Sequence, residues 1–452
     1  MYRLVLILLL IASYAPAEMK DPVVCKADPK QSYALFVPSN YSTNKTWPIL
    51  YCYDARGHGK LFGEIFTQAA EKYGWIVASS NNTRSDDLTW PNFEAIKALW
   101  NDTHMQLAIN DKRVYVAGFS GCSRIAWNVG YAYPKIVAGV IGCSGGNHES
   151  HPPAKDVPFV YFSTAGTRDF NYPEMVDLNA KLEKLGLPHV LAFFDGDHDW
   201  PPPELATQAI EWMEVRAMKS GLRDKDNQIL NELYDKRMKA AATKQAYDAE
   251  IDYRTISDDF SGMIDTSPVE AKLKTLEHSD DVKKEKKLRD HIQDEAKQYL
   301  MDLLATLKDF EATNGAMPAM ADLQKRMRIH ELLDRVKKQG DSEEGLAAQR
   351  MLEAAFVHLS FYLPMDFIER KDSARGFLAL NLAEEIHNDS PRVWMYRTRL
   401  YALSGDKTKA VECLQKAVVL GFSDPKILEN DPNLASLRNE PGYQAIVTKL
   451  KN

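Results

Sequence analysis

Short apolar segments alternate with longer amphipathic segments over the first half of the chain. The apolar segments are rich in β-branched and aromatic residues, and the segments between them have the length of helices. This alternation predicts β-α-β units and a mostly parallel sheet. Strands are predicted at residues 33–37, 48–53, 75–79, 114–118, 137–141, 157–163 and 190–194. Helices are predicted near residues 62–73, 92–109, 122–130, 173–185 and 203–218.

The pattern changes after residue 218. Strand-like segments nearly vanish and charged residues become frequent, as in the run 280–287. Such a run is typical of the solvated face of a helix. The segment 219–225 is therefore predicted to link an α/β domain, residues 18–218, to a helical region, residues 219–390.

Residues 391–452 have helical patterns that partly match a tetratricopeptide repeat. The residues at the characteristic spacings are Trp394, Tyr401, Ala410, Leu414 and Ala417. Arg397 and Thr398 stand where the repeat has Leu-Gly, so the match is partial. One repeat cannot bury its own apolar face, and neighbouring helices must pack on it. We expect a tetratricopeptide-like repeat with a C-terminal cap, which could offer a surface to a protein partner.

The N-terminus has the pattern of a secretory signal peptide. Arg3 precedes an apolar run, residues 4–12, and Ala15-Pro16-Ala17 fits a cleavage site. We therefore expect residues 1–17 to be removed and the protein to be periplasmic or secreted. The run is too short to span a bilayer, and no later segment approaches the length of about 18 apolar residues that spanning needs. No stable membrane insertion is expected after cleavage.

Composition narrows the classes of partner. The 452 residues are 45% hydrophobic and 26% charged, as in globular proteins of two or three domains. The net charge of -7 leaves no basic surface for nucleic acid. The five cysteines form no C-x-x-C pair, so no structural zinc site is expected. Cys122 and Cys143 could form a disulfide or remain two buried thiols, and the pattern favours neither.

One segment carries candidate chemistry. Residues 118–122, Gly-Phe-Ser-Gly-Cys, directly follow a predicted buried strand and open a predicted helix. That is the setting of a nucleophile elbow, G-x-S-x-G, with Ser120 as the nucleophile and Cys122 in place of the second glycine. Asp169 and His198 follow the predicted strands 157–163 and 190–194. Open α/β sheets place their sites at such strand ends, so the sequence predicts a Ser-Asp-His triad.

Other residues near these strand ends have predicted roles. The rival acids Asp195, Asp197 and Asp199 adjoin His198 in sequence and would not easily reach its far ring nitrogen. They could still influence the pKa of His198.

The oxyanion hole is predicted to use the N–H of Gly121 and, from the loop 54–59, that of Ala55 or Arg56. The Arg56 side chain could bind an anionic substrate group, but pairing with Asp54 is favoured. Trp200 and Asn81 are predicted to line the substrate site.

The first domain resembles a family of esterases over roughly residues 30–215. Residues 113–121, 166–169 and 194–201 are similar to the matching motifs of α/β-hydrolase esterases of the polyhydroxybutyrate-depolymerase and feruloyl-esterase type, including dienelactone-hydrolase-like relatives. The resemblance implies an α/β-hydrolase fold, an acyl-enzyme mechanism on a small-molecule or polymer ester, and no metal or organic cofactor. Relatives carry His-Gly in the oxyanion loop, where this chain has residues 54–59, Asp-Ala-Arg-Gly-His-Gly.

A serine esterase is therefore the expected function, with two alternatives. A serine peptidase on the same fold would use the same triad, although the first domain lacks an inserted propeller or large lid. An inactive hydrolase fold could instead act as a binding module, with the helical repeat as its partner surface. The altered elbow and oxyanion loop slightly favour this second alternative.

Overall fold

The computed structural model describes residues 18–85, 91–312 and 316–451. The predicted signal peptide, residues 1–17, lies outside the described residues. The chain divides into two compact units, Met1–Lys286 and Lys287–Asn452.

A single sheet of eight strands forms the centre of the first unit, within the described residues. The strands are β1 (Lys20–Val24), β2 (Ser32–Phe36), β3 (Trp47–Tyr53), β4 (Ile76–Ser80), β5 (Ile109–Phe119), β6 (Val137–Cys143), β7 (Val160–Gly166) and β8 (His189–Phe194). Their order across the sheet is β1-β2-β4-β3-β5-β6-β7-β8. The pairs β1–β2 and β2–β4 are antiparallel, and all pairs from β4 to β8 are parallel. The carboxyl ends of β3 and β5–β8 therefore meet at one edge.

Helices cover both faces of this sheet. They are α1 (Gly59–Glu64), α2 (Thr67–Tyr73), α3 (Pro91–Gln106), α4 (Gly121–Ala132), α5 (Tyr172–Leu185) and α6 (Pro203–Lys219). Three more helices follow in the chain: α7 (Asn227–Ala241), α8 (Ala246–Phe260) and α9 (Ser267–Leu276). One apolar layer contains residues of α1, α2 and α6, and the other contains residues of α3, α4 and α5. Because the sheet is covered twice, β3 is buried along its whole length.

This architecture confirms the predicted α/β fold with a mostly parallel sheet. All seven predicted strands are present. The sequence pattern missed β1, which lies at the edge of the sheet, is mostly exposed and contains Pro22, so it lacks a buried-strand signature. The predicted helix 62–73 is two helices, α1 and α2.

Helices α7 to α9 pack onto α6 of the sheet domain. Val215 and Met218 of α6 share an apolar cluster with Leu230, Tyr253 and Phe260. The N–H of Trp212 donates to the buried Asp259 at 2.8 Å. The first compact unit therefore extends beyond the boundary predicted at residues 219–225, because α6 faces the sheet on one side and these helices on the other.

The second unit is helical, and no strand occurs after β8 in the described residues. Its helices are the part of α10 (Asp280–Glu311) that follows Lys286, then α11 (Met320–Arg326), α12 (Ile329–Gln339), α13 (Glu343–Val357), α14 (Leu363–Glu369), α15 (Ser373–Ile386), α16 (Pro391–Ser404), α17 (Lys407–Val419), α18 (Pro425–Asn430) and α19 (Pro441–Lys451). A π-helical turn covers His358–Tyr362 and a 3₁₀ helix covers Pro432–Leu437. The expectation of an all-helical region after the sheet domain is confirmed.

One helical run in the second unit corrects an expectation drawn from hydropathy. Residues Glu343–Glu369 are long and apolar enough to span a membrane by length and composition. The statement that no later segment approaches this length is therefore wrong. Met351, Leu359 and Phe367 of this run are buried in the core of the unit. A core helix meets the same criterion, and packing accounts for these apolar residues.

Candidate active site

Ser120 stands at a sharp turn between β5 and α4. Its φ is 55° and its ψ is −127°, a conformation that residues other than glycine rarely adopt. The Ser120 N–H donates to the carbonyl of Cys143 at the end of β6, at 2.8 Å. Strain of this kind persists only where the surroundings hold it, and it is frequent at functional sites.

Close packing explains the first glycine of the elbow and the cysteine at its end. A Cβ on Gly118 would lie 2.0 Å from the carbonyl oxygen of Cys122, so a side chain cannot fit there. Cys122 is fully buried, and its thiol donates to the carbonyl of Asp54 at 3.4 Å. The elbow therefore keeps its backbone shape while the fifth position carries a side chain.

The structure brings Ser120, His198 and Asp169 into one hydrogen-bonded chain. The Nε2 of His198 lies 2.9 Å from the Oγ of Ser120, and its Nδ1 lies 2.9 Å from the Oδ1 of Asp169. Asp169 is fully buried, whereas the side chain of His198 is about one-fifth exposed. With Nδ1–H donated to the carboxylate, Nε2 is left to accept the hydroxyl proton.

Local contacts hold the imidazole and the acid in place. The ring of His198 packs against Phe170 and Phe119, with centroids 4.4 and 5.1 Å apart. The Asn171 N–H donates to Asp169 Oδ1 at 2.8 Å. The other carboxylate oxygen, Oδ2, is buried and has no hydrogen-bond partner among the described residues. The acid is thus directed mainly at His198.

The three rival acids have other partners. Arg168 binds Asp195 Oδ1 at 2.5 Å and Asp197 Oδ1 at 2.8 Å, which ties the loop that carries the acid to the loop that carries His198. These carboxylates are highly exposed, and such pairs contribute about 0–1 kcal/mol. The carboxylate of Asp199 accepts the N–H of Trp200 at 2.7 Å. None of these acids competes with Asp169 in this arrangement.

The loop after β3 has one of its two predicted oxyanion donors engaged elsewhere. The Arg56 N–H donates to Asp54 Oδ1 at 2.8 Å, so it is not available to a substrate. The N–H of Ala55 has no acceptor among the described residues, and its carbonyl is held by Ser85 at 3.1 Å. Gly121 opens α4, where the first N–H groups have no acceptor within the helix. Ala55 and Gly121 are therefore the candidate donors.

The predicted side-chain pair of Arg56 with Asp54 is wrong. Arg56 is exposed, and no ion pair joins it to Asp54 in the described part of the chain. The Asp54 carboxylate binds backbone N–H groups and the indole of Trp200 instead. Asp54 and Arg56 are two residues apart, which suggests a charged pair, but the Asp54 side chain accepts N–H groups of its own turn.

The two predicted substrate-lining residues differ in their placement. Trp200 packs against Phe62 and Phe119, with centroid distances of 6.2 Å in both cases, and so lies beside the elbow. The amide of Asn81 donates to Asp21 Oδ1 at 2.7 Å, at the antiparallel edge of the sheet. Ser120, His198 and Asp169 are all described, and no hydrogen bond joins Asn81 to any of them. The Asn81 side chain binds Asp21 and Ser32 instead.

The suggested disulfide between Cys122 and Cys143 does not form. All five cysteines are described, all are buried and none is in a disulfide. Cys122 lies in the apolar layer of α3 to α5, and Cys143 faces the layer of α1, α2 and α6 on the other side of the sheet. Burial raises the pKa of Cys143 to about 12. The alternative of two buried thiols is the correct one.

No group of three or more His, Cys, Asp or Glu side chains is arranged to hold a metal ion within residues 18–85, 91–312 and 316–451. What the described side chains do assemble is a hydrogen-bonded chain of a hydroxyl, an imidazole and a buried carboxylate.

Comparison with known proteins gives structural matches only. No family model matches the sequence, and no curated protein does. An S-formylglutathione hydrolase from Staphylococcus aureus is 14% identical, with 44% of this chain and 98% of that chain covered and a TM-score of 0.35. The protein Est1E from Butyrivibrio proteoclasticus, solved with ferulic acid bound, is 12% identical, with 44% of this chain and 100% of that chain covered and a TM-score of 0.35.

A peptidase is among the matches as well. The acylaminoacyl peptidase of Pyrococcus horikoshii is 11% identical, with 45% of this chain and 42% of that chain covered and a TM-score of 0.36. Ester and peptide hydrolases are thus both similar to this chain at this distance. Likenesses of this size do not transfer a substrate or an activity, which must be argued from the site.

Proposed function

We propose that this protein is a serine hydrolase that cleaves carboxylic esters through an acyl-enzyme. The observation that carries the proposal is the chain Ser120–His198–Asp169, in which both hydrogen bonds measure 2.9 Å. A base within reach of the hydroxyl and an acid behind the base are what activates a serine. The strained turn at Ser120 supports the same role, because it presents the hydroxyl at the sheet edge.

In the acylation step, Ser120 Oγ attacks the ester carbonyl carbon while His198 Nε2 takes the hydroxyl proton. The carbonyl oxygen becomes an oxyanion, which the N–H groups of Gly121 and Ala55 would stabilise. When the tetrahedral intermediate collapses, the carbon–oxygen bond to the alcohol breaks. The imidazolium of His198 returns its proton to the departing alkoxide, and the acyl group stays on Ser120.

In the deacylation step, water replaces the alcohol. His198 takes a proton from the water as its oxygen attacks the acyl carbon, and Ser120 leaves with that proton. Asp169 holds the imidazole in the required tautomer and stabilises its charged form in both steps. Phe119 and Phe170 limit rotation of the ring.

The proposal extends to export and to the helical region. We propose that residues 1–17 direct the protein out of the cytoplasm, to the periplasm or the medium, and are removed. We also propose that α16 and α17 form a tetratricopeptide-like pair that offers a surface to a protein partner. Two features support the pair: Gly405 turns between the helices with a φ of 84°, and Ala410 and Ala417 are fully buried.

The test is hydrolysis of short-chain p-nitrophenyl esters and of matched p-nitroanilides by the mature protein. We expect ester cleavage, labelling of Ser120 by a fluorophosphonate, and loss of both in Ser120→Ala. The expected loss in kcat is at least about 10⁴-fold, since the nucleophile acts as a unit with its base. Amide cleavage at a comparable rate would favour a peptidase, and absence of labelling in folded protein would favour a binding module.

A further inference from the structure

The loop that carries Ala55 is organised by a buried carboxylate that the catalytic scheme above does not use. Asp54 follows β3 directly and is 1% exposed. We propose that Asp54 is a positioning residue, which fixes the oxyanion donors relative to each other and to His198. The inference rests on the proposed function, because a donor has a use only if an oxyanion forms.

The Asp54 carboxylate accepts three N–H groups, one of them across 146 positions of sequence. Oδ1 accepts from Arg56 and from His58, both at 2.8 Å, and Oδ2 accepts from Nε1 of Trp200 at 3.0 Å. Hydrogen bonds to a charged acceptor are about twice as strong as neutral ones. They engage the N–H groups of Arg56 and His58, whereas that of Ala55 has no acceptor among the described residues.

The backbone of Asp54 is tied to the elbow. Its carbonyl accepts from the thiol of Cys122 at 3.4 Å and from the hydroxyl of Thr83 at 2.9 Å. Cys122 is the second residue of α4, and Gly121, the other candidate donor, is the first. The N–H groups of Ala55 and Gly121 are therefore held relative to each other through Asp54. Cys122 supplies the thiol contact, which a glycine at this position could not.

The same carboxylate reaches the base through an aromatic contact. Trp200, which it binds, lies two residues after His198 and packs against Phe119 at 6.2 Å. Phe119 also contacts the His198 ring at 5.1 Å. Asp54 thus connects the oxyanion loop, the elbow and the loop that carries the base.

The arrangement requires an acceptor-only group. Three N–H donors converge on the two oxygens of Asp54, and an asparagine would offer one oxygen and one NH₂ group. In Asp54→Asn the NH₂ must face the N–H of either the loop or Trp200. The shape of the side chain is kept, but one side of the bridge must open.

The test compares Asp54→Asn with Trp200→Phe, which keeps an aromatic ring and removes the indole N–H. Asp111→Asn is the matched control, because Asp111 lies on β5 with its side chain 73% exposed. Active sites are counted by end-point fluorophosphonate labelling, and kcat and KM for p-nitrophenyl acetate are measured per labelled site. This normalisation separates misfolded protein from slow catalysis.

We expect Asp54→Asn to lower kcat about 10- to 100-fold with KM within about 3-fold, because displaced donors affect the oxyanion more than the ground-state carbonyl. Trp200→Phe should lower kcat about 3- to 10-fold, and the double variant should resemble Asp54→Asn alone. Asp111→Asn should stay within 2-fold of the parent, on the order of the measurement error.

An unchanged kcat per labelled site in Asp54→Asn and in Trp200→Phe would overturn the inference, whatever the loss of folded protein. An effect on KM alone would overturn it too. If the parent protein is neither labelled nor active, the proposed function fails and takes this inference with it. Labelling and turnover of the parent with no effect of either variant would remove the inference only.

Discussion

Asp169 and Asp54 both follow strands of the central sheet and both are buried, but their oxygens have different partners. Asp169 binds the imidazole of His198 and one backbone N–H through Oδ1, and its Oδ2 has no partner among the described residues. Asp54 binds three N–H groups and uses both oxygens. One acid therefore faces the imidazole that takes the proton in the proposed reaction. The other binds N–H groups that stay neutral, and the half-exposed imidazole of His58 lies 3.8 Å from its Oδ1.

This difference assigns different work to two similar side chains. A carboxylate beside a titrating base selects its tautomer and stabilises its charged form, so its removal should alter the dependence of rate on pH. A carboxylate that binds neutral donors fixes geometry, and its removal should lower the rate at every pH alike. Burial and position at a strand end do not distinguish the two roles, whereas the hydrogen-bond partners of each carboxylate do.

The larger of the two effects predicted for these acids belongs to Asp169. Asp169→Asn should lower kcat about 10³- to 10⁴-fold, because the amide no longer secures Nδ1–H of His198 and the wrong tautomer becomes favoured. The measurement is kcat/KM per labelled active site between pH 5 and 10. The acid limb of the profile should shift in Asp169→Asn.

Asp54→Asn serves as the comparison in the same pH series. Its profile should keep the shape of the parent profile at a lower rate. A shifted acid limb in Asp54→Asn, with an unshifted one in Asp169→Asn, would reverse the roles assigned to the two carboxylates.

The sequence predicts the proximity of Ser120, Asp169 and His198 better than it predicts which backbone N–H groups are free, and there is a physical reason. Parallel strands bring their carboxyl ends together, so the order of Ser120, Asp169 and His198 on strand ends suffices to place them near one another. A backbone donor is defined by what its N–H does not bind. Which N–H groups are bonded depends on the turn at Asp54. Its carboxylate accepts the Arg56 N–H, which the sequence pattern predicts as an oxyanion donor.

The same limit explains the other corrections. Sequence spacing places Cys122 and Cys143 near one strand end, but only the pleat and the helix layers put them on opposite faces of the sheet. The edge strand β1 is exposed and has no hydrophobic alternation to detect. Helices α7 to α9 join the first unit through buried contacts with α6, which a local composition change at residues 219–225 does not reveal.

A third buried carboxylate, that of Glu214, has no role in the proposed reaction and can be compared with Asp169 and Asp54. Glu214 of α6 is 0% exposed and forms ion pairs with Arg113 and Arg223, and it accepts the indole N–H of Trp75 at 2.5 Å. Glu214→Ala leaves the buried Arg113 without its acid, while Arg223 keeps only Asp226 among the described acids, at 3.5 Å, and should destabilise the fold by about 3–5 kcal/mol. Urea unfolding measures this loss, and kcat per labelled site should not change.

The matched control for that variant is Glu204→Ala on the same helix, where the residue is exposed. Its unfolding free energy should stay within about 0.5 kcal/mol of the parent value. A fall in kcat per labelled site in Glu214→Ala would mean that removal of any buried carboxylate disturbs the arrangement of Ser120, His198 and Asp169. Glu214 could then no longer be distinguished from Asp54 by its effect on catalysis.

The smallest effect is predicted for the thiols beside the site. Cys122 contacts the carbonyl of Asp54, and the carbonyl of Cys143 accepts the Ser120 N–H, yet both side chains are buried. Iodoacetamide at pH 8 should therefore leave ester hydrolysis unchanged, and peptide mapping of the native protein should find neither residue alkylated. Rapid inactivation with a carbamidomethyl group on Cys122 would show that the elbow opens to solvent.

Burial of Cys143 also predicts the direction of a change in stability with pH. Its thiol keeps its proton up to a pKa of about 12 in the folded state, whereas an unfolded chain releases it near 9.0. The unfolded state then binds fewer protons, so stability is full below pH 9 and falls as the pH rises towards 12, by at most about 1.4 kcal/mol per pH unit for one group. Urea unfolding at pH 8 and 10.5 tests this, with Cys143→Ala expected to lose less stability between the two pH values than the parent. An equal loss in both proteins would assign the alkaline effect to other buried groups, such as Cys52, whose pKa burial raises well above 9.0, or Tyr115, whose pKa burial raises to about 12.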